Sequence, residues 1–156
     1  MKTINNNIEE TKVGFNNAKL LKEKGFDVPC STHWEWGNGD KKENLPAGIY
    51  IAGFIDKENL PRPYSNSELM KSYFEDSNQF GEFSRPTQQL AIDWILKNYN
   101  IWIHVAPENN EEDIVTWRLT IQRIDTEVRF VRTFGEFNKP EEAKEAAINY
   151  VLTKLI

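Results

Sequence analysis

The sequence predicts an α+β fold, an antiparallel sheet with helices packed on one of its faces. Three observations carry this. Residues 114–124, IVTWRLTIQRI, alternate apolar and polar without a break, the signature of a half-buried antiparallel strand. PTQQLAIDWILKNYN and NKPEEAKEAAINYVLTKLI each place apolar residues at helical spacing behind an opening proline. Between them lie two further strand-like runs, so residues 84–156 spell helix, strand, strand, strand, helix.

The elements follow in order. Residues 1–14 read as a flexible lead, because Asn5, Asn6 and Asn7 are poor helix formers and Gly14 stops what Ile8 begins. A helix is expected over 16–24, capped by Asn16 and stapled by Phe15 and Leu20. Gly25 fits the left-handed position behind it, and Phe26 then falls onto Leu21 as in a Schellman cap. STHWEW (31–36) and GIYIAGF (48–54) read as strands, with GNGDKKENLPAG between them as a turn or exposed loop. Residues 56–68, with Pro61 and Pro63, read as irregular, and Leu69 to Phe74 as a helical turn.

A helix over 85–98 is expected next, with Ser84 as cap and Pro86 in its first turn. IWIHVA, 101–106, is a strand and PENNEED a charged turn. TEVRFVRTF, 126–134, is the third strand. The last helix covers 139–155, where Asn138 and Glu141 have capping-box spacing. The expected core is Leu20, Leu21, Phe26, Ile51, Leu90, Trp94, Ile103, Trp117, Leu119, Phe130, Ala147 and Val151.

FGEF occurs at 80–83 and at 134–137, each time ahead of a proline-opened helix with a similar centre, AIDWIL or AINYVL. A duplicated half-domain would leave this trace. So would two helices that share one starting chemistry, the reading favoured by the mismatch of the segments before the two copies.

The chain has 156 residues, one domain on the usual length scale. Its net charge is −5, with 19 Lys and Arg against 24 Asp and Glu, which disfavours general duplex binding but leaves room for a local basic face. No apolar run reaches the ~18 residues of a membrane span. MKTINNNIEETK lacks the apolar centre of a signal peptide, and Cys30, alone, forms no internal disulfide; a reducing cytoplasm is expected.

Little here resembles catalytic machinery. Cys30, His33 and His104 give three candidate zinc ligands where a closed site needs four, so no metal and no cofactor are expected. Cys30 with His104 could pair a nucleophile with a base, but PCSTHW matches no cysteine-protease context. The phosphate-loop, dinucleotide, nucleophile-elbow and zincin signatures are missing.

The candidate site is instead the far face of the last three strands. With Ile101, Ile103, Val105, Val115, Trp117, Leu119 and Ile121 turned to the helices, alternation puts Trp102, His104, Arg118, Gln122 and Arg129 on the other side. Exposed tryptophan beside arginine is the composition of a contact surface, and it would also suit base stacking on a single strand. The first strands could equally cover this face, since Trp34, Trp36 and GIYIAGF must pack somewhere.

FNNAKLLKEKGFDVPC, PTQQLAIDWILKNYNIWIHV and FGEFNKPEEAKEAAINYVLTKLI resemble small uncharacterised proteins carried by phages and prophages of Bacteroides-like bacteria. Those proteins show a helix followed by KGF and PC, then SxPTQxLAxxWL, then a strand pair and an EEAxxAxI helix. The resemblance covers roughly 16–30 and 84–156. It carries no activity and no catalytic residue to this chain. It implies a non-enzymatic phage accessory protein in the cytoplasm of a bacterial host, acting by binding a host or phage macromolecule. A protein partner is the favoured expectation and single-stranded nucleic acid the alternative, with a small enzyme third.

Overall fold

The computed structural model describes residues 10–37, 48–53, 65–69, 80–109, 115–124 and 131–156. It is α+β, and the C-terminal half runs helix, strand, strand, strand, helix as the pattern requires. The strands divide over two antiparallel sheets. β1 (Thr32–Gly37) pairs with β2 (Gly48–Gly53) and with β3 (Phe80–Ser84), in the order β2-β1-β3. β4 (Ile101–Asn109), β5 (Val115–Arg123) and β6 (Val131–Phe137) form the second sheet in sequence order.

The helices are α1 (Phe15–Glu23), α2 (Asn66–Leu69), α3 (Gln88–Tyr99) and α4 (Pro140–Lys154). α4 lies on the second sheet, mainly over β4 and β5, with α3 beside it on β4. α1 meets α4 on one side and β3 on the other, so it joins the two sheets. Where they meet is one core, in which Leu21, Phe26, Ile95, Ile101, Leu119, Ile121, Ile148 and Val151 are all buried. Each such side chain contributes roughly 1.5–3 kcal/mol by leaving water.

The end of α1 follows its sequence signal. Gly25 takes φ +88°, its N–H donates to Lys22 O at 3.0 Å, and the Phe26 N–H donates to Leu21 O at 2.9 Å. That is the full Schellman pair, and it drops the Phe26 ring into the core. The starts of the helices differ from expectation. Gly14, not Asn16, caps α1, with no side-chain bond. Thr87 caps α3 by accepting from the Leu90 N–H at 3.1 Å, which leaves Pro86 outside the helix. Lys139 precedes Pro140 at the start of α4, so the Asn138–Glu141 capping box does not form. At α1 a distant carboxylate, and at α3 a second hydroxyl, outcompetes the nearest polar residue.

Residues 11–13, expected to belong to a flexible lead, are tied down. Thr11 O accepts from the Gln88 N–H at 2.8 Å and the Val13 N–H donates to Pro86 O at 3.0 Å, so residues 11–13 run along the entry to α3. Val13 is fully buried there. An apolar side chain and two backbone bonds overrode the turn-like composition.

Both FGEF copies are strands that lead into helices, β3 into α3 and the end of β6 into α4. The third strand of the second sheet therefore runs to Phe137 rather than stopping at 134. A register shift between Arg118 and Leu119 lets Gly135 stand out of the ladder. Among the expected core residues, Leu20, Leu90, Trp94 and Trp117 are half-buried around the centre. Of Ile51 the backbone alone, in β2, is described, and Phe130 lies outside the described residues. So do the loop at 38–47, residues 56–64 of the stretch 56–68 expected to be irregular, whose last residues instead open α2, and the helical turn beyond Leu69.

Candidate functional site

Strand alternation and register assemble the outer face of the second sheet. Trp102 stands opposite Gln122, His104 opposite Thr120, and Ala106 opposite Arg118. On the other side of β5, Gln122 faces Val131, Thr120 faces Thr133 and Arg118 faces Glu136. Trp102, His104, Arg118 and Gln122 thus share one face, as the alternation of β4 and β5 requires. Arg129 lies outside the described residues.

Trp102 is 38% exposed, and its indole stacks on the His104 imidazole with ring centres 5.0 Å apart and planes 6° from parallel. Two residues apart on one strand, these rings form a stacked pair. Arg118 is ion-paired with Glu108 across the strands, at 2.5 Å. Both partners are well exposed, so the pair contributes at most about 1 kcal/mol. With Glu136 as its other neighbour, Arg118 sits among carboxylates and the described part of this face is not basic. Two details depart from expectation. Val115, the first residue of β5, is 52% exposed instead of facing the helices. Thr116 is buried on the nominally outer side and donates its hydroxyl to Glu108 O at 3.3 Å.

Trp34 of the first sheet packs away from this face. The Trp34 indole meets the Phe15 ring edge-on at 6.0 Å, lies under the Arg85 guanidinium at 4.8 Å and donates to Val13 O at 3.3 Å. Trp34 is therefore spent on α1.

Cys30 is buried, and its Sγ donates to Val28 O at 3.4 Å. Burial pushes the thiol up to about 11, against the opposing influence of Lys12 and of the Ser84 hydroxyl. It stays protonated at neutral pH, which is wrong for a nucleophile. His104, on the outer face of the other sheet, is not brought to it, and His33 is buried on β1. Among the described residues no group of three or more His, Cys, Asp or Glu is placed to hold a metal.

One arrangement escaped the sequence. The Glu145 carboxylate on α4 accepts from the Gly14 N–H at 2.8 Å and from Asn17 Nδ2 at 2.8 Å, both at Oε1. Its Oε2 accepts from Gln88 Nε2 at 3.0 Å. Asn149 Nδ2 donates to Asn17 Oδ1 at 3.0 Å. Glu145 thus ties the starts of α1 and α3 to the middle of α4. The available signal was Asn17, a polar residue one turn before Leu21 on the buried stripe of α1. Beside this network opens a groove of about 740 Å³, between the start of α1, one flank of α4 and the inner side of β5 and β6.

Compared with family models, with curated proteins and with solved structures, the chain matches none.

Proposed function

We propose that this protein is a non-enzymatic binding module whose outer sheet face, centred on the Trp102–His104 stack, meets a protein partner. The observation that carries the reading is the exposed, stacked tryptophan on a sheet face whose helices lie on the other side. Large rigid aromatics in the open are the residues that anchor interfaces. The charge of the face favours protein over nucleic acid. Arg118 is already partnered by Glu108 and faces Glu136, whereas a phosphate backbone calls for free cations. The resemblance of the helix segments to phage and prophage proteins supplies the setting, an accessory protein working in the cytoplasm of a bacterial host. Among the described residues no helix is long and apolar enough to cross a membrane.

The test is capture from a host lysate by wild type, Trp102→Ala, Arg118→Glu and a control change on α1, the exposed Lys19→Glu. The proposal expects one protein band that both face variants lose and the control keeps. Equal capture by all four overturns it. Binding of single-stranded oligonucleotides that weakens steeply with salt would overturn it in favour of nucleic acid.

A further inference from the structure

We infer that the groove beside β6 is a second docking site, separate from the outer face. Its occupant is a short extended peptide segment in which a lysine or arginine stands next to apolar side chains. The groove lies on the opposite side of the same sheet. Its floor is Leu119, Phe134 and Phe137, and Tyr150 of α4 stands over it. This floor is open because α4 sits mainly over β4 and β5 and leaves the inner side of β6 less covered. At about 740 Å³ the space falls within the roughly 300–1,000 Å³ of ordinary ligand clefts.

The charge of the occupant follows from the walls. Glu142 and Glu145 line the groove against one cation, Lys154. The Glu145 carboxylate is held by an amide N–H and two carboxamides, which are neutral donors. Its negative charge is left standing beside an apolar floor, where water screens it less than in the open. The rings themselves accept cations. The Arg132 guanidinium lies 5.1 Å from both the Phe134 and the Tyr150 ring centres and donates to the Tyr150 hydroxyl at 2.6 Å. That end is occupied from within the chain. The end bearing Glu142, Glu145 and Phe137 is where a partner's cation would find both a carboxylate and a ring.

That the occupant is a peptide follows from the sheet edge. β6 is an outer strand of its sheet, and no described strand pairs with its far side. Phe134 and Phe137 of this strand line the groove, so an extended segment that pairs with the strand's edge would run alongside it. Every second side chain of that segment would then point into the groove. The bulge at Gly135 interrupts the edge and keeps the paired stretch short.

The probe is a fluorescent octapeptide, Ser-Lys-Ser-Leu-Ser-Lys-Ser-Leu, titrated by anisotropy against the full chain. Two controls replace its lysines by glutamates or its leucines by alanines. The proposal expects saturable binding at least about tenfold tighter than either control. Glu142→Lys, an exposed change, should weaken it about tenfold by turning attraction into repulsion. Ala146→Arg, which fills the groove, should abolish it. Thermal melts must show both variants folded, and Trp102→Ala must bind the peptide normally, which keeps this site distinguishable from the outer face. Absent binding, equal binding of the glutamate peptide, or indifference to Ala146→Arg overturns the proposal. So does a wild-type dimer that Ala146→Arg converts to monomer, since the occupant would then be a second copy of the chain.

Discussion

The Gly14 N–H donates to Glu145 Oε1 at 2.8 Å, and a Cβ built on Gly14 would stand 2.9 Å from that same oxygen. The carboxylate cannot step aside cheaply, because Asn17 and Gln88 hold its two oxygens. Gly14 has φ −69° and ψ 164°, a conformation open to any residue, so the constraint is purely one of space. Gly14→Ala should therefore destabilise the fold by about 1–3 kcal/mol, where an unconstrained site would gain slightly from the stiffer unfolded chain. Urea unfolding of a double-mutant cycle checks this. In a Glu145→Ala background the same Gly14→Ala change should cost nothing, and an undiminished cost would remove Glu145 from the explanation.

Asn66 does comparable work between the first sheet and the loop after α1. Its Nδ2 donates to Phe26 O at 2.6 Å and its Oδ1 accepts from the Ser84 N–H at 2.8 Å, with 4% of the residue exposed. Asn66→Ala would strand one buried carbonyl and one buried N–H. At about 1–3 kcal/mol for each orphaned group, a loss of about 2–6 kcal/mol is expected. Asn66→Asp should fare little better, since a carboxylate oxygen would then face the Phe26 carbonyl. A change below about 1 kcal/mol in chemical denaturation would show that water replaces both bonds.

The elements built from local rules were the legible ones. The Gly25–Phe26 stop, the alternation of β5 from Trp117 onward and the face that Trp102 shares with Gln122 all follow from the local pattern, and the structure has them. What was missed depends on distant partners. Phe80–Ser84 is a strand because β1 offers it an edge, which its five residues cannot announce. Asn16 is no cap because Gly14 and Asn17 are drawn to Glu145, 131 and 128 residues away. Of the site, the strand faces could be read, but the pairing of Arg118 with Glu108 could not, since it needs the register across a turn. The groove was illegible for the same reason: its walls come from α1, β5, β6 and α4.

Cys30 makes stability depend on alkaline pH. The folded thiol has its pKa raised from 9.0 to about 11, with burial as the main cause. The folded state thus holds this proton more tightly than the unfolded chain. Below about pH 9 both states are protonated and the full contribution is present. Between about pH 9 and 11 the unfolded chain ionises first, and stability falls. Cys30→Ala cannot show this loss. The stability difference between wild type and variant, measured by urea unfolding at pH 7, 9 and 10.5, should move in the variant's favour as pH rises. A constant difference would refute the buried thiol.

Trp94 and Trp102 should separate stability from binding. Trp94 sits half-buried on α3, with the Phe26 and Tyr99 rings edge-on at 5.4 Å each. Replacing it by alanine removes a large ring from between two others, and a cost of about 3–5 kcal/mol is expected. Trp102 is larger than anything near it on the outer face, yet 38% of it meets water and its ring contact is the His104 stack. Trp102→Ala should therefore cost about 1 kcal/mol, since little apolar area returns to water and no cavity opens inside the protein. The binding order should be the reverse. At a temperature where both variants are folded, Trp94→Ala should capture the partner as wild type does and Trp102→Ala should fail. Denaturation curves and capture from lysate, run on the same preparations, give both readings. A Trp102→Ala protein that loses 3 kcal/mol or more would mark this tryptophan as a structural residue. The outer face would then lose its anchor.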